Sequence, residues 1–273
     1  MARLGSSMLS FPDFRGATRR LILINLAAYF VLLIATGAFS GTPEVRDALK
    51  LDPAIFVHGE LWQPLTYSLI HLGILGTLFE LLSLWFLAGF LETFHQPNWV
   101  MNLYVVSVLG TAAAALALYA IAITLAPSLL VNAQPLYGSF GGIFGLLVAI
   151  GFLYGDTQFM LFPLPIGIKA RYIAVIYALV AIAMLFDNER MYAFAQLGGA
   201  LAGLGYVRMA PRRGMSFAMS ESWYGLRNRY YRWKRRRAAR KFEVYMRKQG
   251  RTVKFDGQGR LIDEDSDDKK RWN

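Results

Sequence analysis

Long stretches without a charged residue constrain this chain more than any other feature. Leu21 to Phe39 is one such stretch of nineteen residues, and Trp99 to Tyr154 is uncharged throughout. Runs of about 18 or more apolar residues are typical of membrane-spanning helices. Because several runs occur in series, we expect an integral membrane protein and not a soluble protein with one buried helix.

The apolar runs and the turn residues between them predict an all-α membrane protein, a six-transmembrane-helix bundle with a basic cytoplasmic C-terminal helix. The expected spans cover residues 21–39, 66–90, 100–125, 138–154, 171–186 and 191–208. Three regions follow from this division. They are an N-terminal cytoplasmic segment (1–20), a six-span membrane domain (21–208) and a basic cytoplasmic tail (209–273) with an acidic, disordered end.

The net charge of +11 is concentrated in the tail, because residues 208–273 hold twenty Lys and Arg against eight Asp and Glu. Six spans put both termini on one side of the membrane. With that side inside, the inner segments hold 26 cations and the outer loops hold three. Lys and Arg are enriched in cytoplasmic loops, so we expect both termini in the cytoplasm.

The composition excludes several kinds of chemistry. There is no cysteine, which removes disulfides, thiolate catalysis and thiolate metal sites. The three histidines, His58, His71 and His95, are scattered without the spacing of metal ligands. We therefore expect no metal and no cofactor.

Two pairs of glycines predict where helices approach closely. Gly141 and Gly145 are four residues apart in the fourth predicted span, and Gly199 and Gly203 are four apart in the sixth. Small residues at this spacing let two membrane helices pack backbone to backbone. We expect these two spans to contact each other.

Five stretches, in this order, resemble the rhomboid intramembrane serine proteases over Leu51 to Val207. The second ends at Glu92, where the family has a glutamate. The stretches are WQPLTYSLIH (62–71), LWFLAGFLE (84–92), GSFGGIFGLL (138–147), LFPLPIGIKARY (161–172) and AQLGGALAG (195–203).

The resemblance implies a rhomboid fold whose catalytic positions have lost their chemistry. The family's nucleophilic serine falls at Phe140 and its histidine base at Gln196, while its oxyanion-holding histidine and asparagine fall at Gly76 and Glu80. Phenylalanine has no proton to give, and glutamine cannot act as a base. Glycine offers no side-chain donor to an oxyanion, and an ionised glutamate would repel one.

Two alternatives remain open at these positions. Ser139, one residue from the nucleophile position, could act as a rescue nucleophile with His71 as its base, which would make the chain an active protease. Glu80 is an acid within a span, and such residues by default mark functional sites. It could form hydrogen bonds with Ser139 and Gln196 around one pocket and so stabilise the bundle. It could instead bind a ligand or carry a proton or a small solute.

The segment 221–251 predicts a basic amphipathic helix, with Trp223, Leu226, Tyr230 and Trp233 at spacings of three and four. Beside a membrane domain it is expected to lie on the anionic inner leaflet. Nucleic acid or a ribosome is the rival partner. The acidic run 263–268 could pair with this helix. The residues expected at the lipid surface are Arg232, Trp233, Lys234, Arg235, Arg236 and Arg237.

The sequence thus favours a proteolytically inactive, rhomboid-like protein of the bacterial plasma membrane. By resemblance, its partner is a transmembrane client, held between the second and fifth helices.

Overall fold

The computed structural model describes residues 12–38, 43–125, 127, 134–160, 167–186, 189–210, 215–250, 253 and 255. The chain divides into two compact units, Met1–Gly214 and Met215–Asn273. The second unit holds α10 (Met215–Lys248). The helices of the first unit are α1 (Gly16–Ala38), α2 (Pro43–Leu49), α3 (Pro53–Phe56), α4 (Gln63–Thr66), α5 (Ile74–Glu92), α6 (Pro97–Leu125), α7 (Phe140–Leu153), α8 (Ala170–Met184) and α9 (Arg190–Met209).

Three of the described helices, α1, α5 and α6, are long and apolar enough to cross a membrane, and α7 and α8 are shorter apolar helices. The protein is therefore a mostly helical membrane protein. The helix α9 has 20 residues but is less apolar, with Arg190 at its start and Arg208 in its last turn. The six-span count stays a prediction.

Helix α5 begins eight residues later than the span predicted at 66–90. The stretch before it forms α4 and a 3₁₀ helix (Tyr67–Leu69), after which Ile70 is extended and Gly73 has a φ of +76°. A residue at positive φ breaks the helical path, and glycine takes this conformation without a Cβ penalty. His71 therefore lies in a turn before α5 and not within the span.

A small antiparallel hairpin departs from the all-α fold that the sequence predicts. It consists of β1 (Gln158–Met160) and β2 (Gly167–Lys169), with Phe159 opposite Ile168. Strands of three residues are too short for the alternation of polar and apolar residues to distinguish them from a loop. The connection between them, 161–166, lies outside the described residues.

Helix α6 is the centre of the first unit, with α9 and α7 packed on it and on each other. The approach is possible because of glycine. A Cβ added to Gly199 would lie 3.0 Å from the carbonyl oxygens of Gly141 and Ser107, and one added to Gly203 would lie 3.0 Å from Gly145 Cα. The two glycine pairs singled out in the sequence thus face each other between α7 and α9.

The first turn of α1 is capped by a side chain from another helix. Glu92, the last residue of α5, accepts hydrogen bonds from the backbone N–H of Ala17 and, at 2.8 Å, from the hydroxyl of Thr18. The N-terminus of a helix carries unsatisfied N–H groups and a partial positive charge, so a carboxylate stabilises it. Gly16, at φ +57°, leaves no space for a Cβ beside Glu92. This contact fixes the start of α1 to the end of α5.

The chain enters and leaves the bundle at the same end. The end of α9 lies there too, because Tyr206 packs on Trp99 in the first turn of α6 with ring centroids 5.5 Å apart.

Large apolar side chains are exposed along α1, α5 and α8, as expected of surfaces that face lipid. On α8 they cover most of the helix: Tyr172, Val175, Ile176, Tyr177, Leu179, Val180 and Ile182.

Candidate functional site

A buried carboxylate lies two turns inside α5. Glu80 is 5% exposed and shares the inward face of the helix with Thr77, Leu84 and Leu87. A buried acid needs hydrogen-bond partners or a counter-charge to offset its desolvation. Glu80 has hydrogen-bond partners at the start of α7 and in the segment before α5.

The strand-like segment before α7 is held so that Ser139 meets Glu80. Leu136 forms a two-bond antiparallel bridge with Leu51, and Gly138 donates its N–H to the carbonyl of Tyr67 at 2.9 Å. Gly138 has a φ of +91°, and a Cβ there would lie 3.2 Å from both carboxylate oxygens of Glu80. Glycine at 138 is therefore required both by the turn and by the approach of the acid.

Ser139 makes two hydrogen bonds to a single oxygen. Its backbone N–H and its hydroxyl both lie 2.7 Å from Glu80 Oε2. Ser139 occupies the N-cap position of α7, but its side chain makes no capping bond to the helix. The hydroxyl faces Glu80 instead.

The network extends through His71 to α1. His71 Nδ1 lies 3.0 Å from Glu80 Oε2, and His71 Nε2 lies 3.1 Å from Asn25 Oδ1. Asn25 in turn donates its Nδ2 to the carbonyl of Leu21 at 2.8 Å. All four side chains are buried, so one polar chain ties together α1, the turn before α5, α5 and α7.

The partners determine how many protons the network holds. The Leu21 carbonyl is only an acceptor, so the Asn25 amide nitrogen must face it and Asn25 Oδ1 must face His71. His71 Nε2 is therefore the donor to Asn25. One further proton then lies between His71 Nδ1 and Glu80 Oε2, on either the imidazole or the carboxyl.

This arrangement does not form a serine–histidine dyad. A nucleophilic serine is activated by a neighbouring base, but Glu80 lies between Ser139 and His71. His71 has both ring nitrogens engaged, and Ser139 is 0% exposed. The hydroxyl is turned into the bundle, where no peptide carbonyl can reach it.

The two positions that the rhomboid resemblance assigns to a catalytic dyad lie beside a small cavity. Phe140 and Gln196 line it together with Tyr67 and Tyr192, and its volume of about 10 Å³ is room for roughly one water molecule. The ring of Phe140 is 39% exposed and contacts Tyr192 edge to face at 6.1 Å. Gln196, which was expected beside Glu80, therefore lines this cavity. The hydrogen bonds described for Glu80 come from Ser139 and His71.

Gly76, to which the resemblance assigns an oxyanion donor, lies in the first turn of α5, four residues before Glu80. It is exposed, and a Cβ added there would meet no atom within 4 Å. Its role in the site stays a prediction.

Reasoning from the sequence missed Asn25. The signal was present, because a polar side chain within an uncharged apolar run usually needs a hydrogen-bond partner.

Among the residues that the structure describes, no group of three or more His, Asp or Glu side chains is placed to hold a metal ion.

The basic tail forms the single helix α10. Trp233 is 55% exposed, Lys234 to Arg237 are exposed and Arg232 is half-buried. The side chains of Trp223 and Leu226 and the acidic run 263–268 lie outside the described residues.

Comparison with known proteins identifies the family at a coarse level. No curated protein matches the chain. A sequence model of the family described as "Eukaryotic integral membrane protein (DUF1751)" matches residues 20–218. The family is eukaryotic, so the match does not support the bacterial plasma membrane expected from the sequence. It also does not by itself assign the chain to the rhomboids. Because the match covers most of the chain, including α1 and α5 to α9, this protein belongs to the eukaryotic integral membrane protein family DUF1751.

Proposed function

We propose that this protein is a rhomboid-like, non-proteolytic membrane protein that binds transmembrane segments of client proteins. The observation that carries the first half of this proposal is the position of Ser139. It is the one serine near the family's nucleophile position, and its hydroxyl is buried and bonded to Glu80 at 2.7 Å.

The residues at the dyad positions support the same conclusion. Phe140 and Gln196 reach one cavity, as a dyad would, but neither side chain can attack or deprotonate. A fold without a nucleophile and a base at these positions can have a function other than proteolysis. Binding to other membrane helices requires only apolar contact and a groove between elements.

A groove of this kind is favoured between α5 and α8. Both helices pack on α7, while their contact with each other is slight. Phe79, Leu82 and Phe86 form an exposed apolar row on α5 at spacings of three and four. The row ends where Phe86 packs on Phe159 of the hairpin, which leads into α8, with ring centroids 5.2 Å apart. A client helix lying along this row would also reach the exposed side chains of α8.

The proposed topology places both chain ends in the cytoplasm. The end of the bundle where α1 begins and α9 ends carries Arg15, Arg19, Arg20, Lys169, Arg171 and Arg208. This distribution supports a cytoplasmic orientation by the enrichment of Lys and Arg on that side.

Site-specific photocrosslinking tests the client site. A photoreactive phenylalanine analogue would replace Phe79 on α5 or Leu179 on α8 in the full chain, with Ile34 on α1 as the matched lipid-facing control. All three side chains are more than half exposed. We expect adducts at 79 and 179 whose crosslinked peptides map to membrane spans of the partner, and few at 34. Equal adducts at all three positions would contradict a groove between α5 and α8.

A proton or small-solute pathway through Glu80 is the second candidate, because two titratable side chains, Glu80 and His71, lie 3.0 Å apart within the bundle. Both side chains are buried, which disfavours a pathway for protons or solutes through them. Proton flux into liposomes containing the protein, abolished by Glu80→Gln, would establish the pathway. We expect no flux above that of empty liposomes.

A further inference from the structure

The second unit presents a surface that client binding does not use. Between Arg227 and Lys248, α10 carries eleven Lys and Arg residues and one acid, Glu243. The helix has 34 residues and follows α9 after only the short stretch 210–214. Its charge calls for an anionic partner, and the arrangement of its faces indicates which one.

One face of α10 combines apolar and cationic side chains in a single row. The residues recur at spacings of three and four, which places them on one side of a helix about 27 Å long. Every one of them is exposed. We call this row the Trp233 face, and it consists of Tyr230, Trp233, Arg237, Lys241, Val244 and Lys248.

Within this face the aromatic rings are already associated with the charges. The ring centroids of Tyr230 and Trp233 are 6.3 Å apart, and the guanidinium of Arg237 lies 5.4 Å from the centroid of Trp233. Trp and Tyr favour the boundary between water and lipid, where one end of the ring is wet. Long cationic side chains beside them reach the phosphates.

A different face of the same helix is covered by the protein's own chain. The helix ends at Lys248, and Gly250 in the turn that follows has a φ of +72°. Phe255 then contacts Phe242 edge to face at 6.2 Å, and Ala239 is buried. Among the described residues, the Trp233 face has no such cover.

A second row borders the Trp233 face and supplies most of the remaining charge. Its residues also follow at spacings of three and four, with Glu243 in the one acidic position. Glu243 pairs with Arg247 at 3.6 Å. The cations of this row are Arg229, Arg232, Arg236, Arg240 and Arg247.

We propose that α10 docks on an anionic lipid bilayer with the Trp233 face in the headgroup layer and the arginine row at its edge. An apolar stripe flanked by cations is the pattern of helices that lie in a membrane interface. Val244 and the paired Tyr230 and Trp233 gain from leaving water there, whereas a nucleic-acid backbone would use the charges and leave Val244 exposed. The chain connection through 210–214 limits how far α10 can lie from the bilayer that holds the first unit.

The test uses the absence of cysteine, because a single introduced thiol carries the only probe. Full-length Val244→Cys would be labelled with an environment-sensitive fluorophore and placed in nanodiscs of phosphatidylcholine, with or without phosphatidylserine. Asn228→Cys is the matched control, since it is exposed and lies on the opposite side of α10. Nitroxide-labelled lipids report whether either probe touches the bilayer.

We expect quenching at 244 and not at 228, only with phosphatidylserine, and reversal by salt. Changing Arg229, Arg232, Arg236 and Arg240 to Gln should lower the docked fraction, by about fivefold in the docking equilibrium for each cation removed. Equal quenching at both positions, quenching independent of phosphatidylserine, or release of the 244 probe by RNA at low salt would overturn the proposal.

Discussion

Ser139 gives both its backbone N–H and its hydroxyl to Oε2 of Glu80, each at 2.7 Å. This one relationship joins the start of α7 to the middle of α5. It also engages the hydroxyl of Ser139, which would have to be free to act as a nucleophile. The predictions below follow from the network around this contact, from the packing of α9 and from the residues at the dyad positions.

Removing the carboxyl of Glu80 should destabilise the bundle strongly. Glu80→Ala leaves the two donors of Ser139 and the ring of His71 without their buried partner, and we expect a loss of about 3–5 kcal/mol in the free energy of unfolding. Glu80→Gln keeps an oxygen that can accept hydrogen bonds from Ser139. It has no negative charge to offset a protonated His71, so its cost should be about 1–2 kcal/mol.

Mixed-micelle denaturation followed by circular dichroism measures both values. Glu189→Ala is the control, because Glu189 is exposed and caps no N–H of α9 with its side chain. Equal stability of Glu80→Ala and Glu189→Ala would show that the network contributes nothing to folding.

The pair His71 and Glu80 should behave as one unit. A double-mutant cycle with His71→Gln and Glu80→Gln is expected to give a coupling energy of about 1–3 kcal/mol, because each change alone leaves the shared proton without its second partner. The comparison cycle joins Glu80→Gln with Thr18→Val, whose hydroxyl bonds to Glu92 at the other end of the bundle. That cycle should be additive within about 0.5 kcal/mol. Additivity in both cycles would refute the pairing.

Two glycines of α9 should respond in opposite directions to alanine. A Cβ at Gly199 would lie 2.1 Å from Thr111 Oγ1 and 3.0 Å from two backbone carbonyls, so Gly199→Ala should cost about 1–3 kcal/mol. At Gly205 the nearest atom is the flexible end of Met209 at 4.0 Å. Gly205→Ala should therefore be neutral or stabilising by up to about 1 kcal/mol. The same denaturation assay applies, and equal costs would contradict the packing of α9.

Restoring the dyad alone should not restore proteolysis. Phe140→Ser with Gln196→His would supply a nucleophile and a base beside the cavity, but Glu80 remains next to the site and would oppose an oxyanion when ionised. Gly76→His added to this pair should not suffice while Glu80 remains, because an ionised carboxylate beside the site still opposes the developing negative charge. Cleavage of a transmembrane substrate in liposomes is the measurement, with folding checked by thermal melts. Turnover by the folded double variant would show that the missing donors are unimportant.

Several helices could be predicted closely from the sequence. The expected spans 100–125, 138–154 and 191–208 correspond to α6, α7 and α9 within three residues at each end. Each is a continuous apolar run with turn residues beyond it. The start of α5 was misplaced because 66–73 contains no Asp, Glu, Lys or Arg that would mark a boundary. The break there depends on the backbone conformation at Gly73, which periodicity does not report.

The site could be predicted only in part. An acid within a span and a serine beside a glycine turn pointed to Glu80 and Ser139. Asn25 was missed because its partner, His71, is 46 residues away and outside any regular element. The contact of α6 with α9 at Gly110 and Gly198 was also missed. Its signal was Gly-x-x-x-Ala, which is found when alanine counts as a small residue.

Labelling of the folded full-length protein by a serine-reactive fluorophosphonate in lipid nanodiscs tests directly whether Ser139 can act as a nucleophile. We expect no labelling above that of Ser139→Ala, because the Ser139 hydroxyl is buried and bonded to Glu80. Labelling that is strong in the natural sequence and lost in both Ser139→Ala and His71→Gln would contradict this expectation and would make the protein an active serine protease.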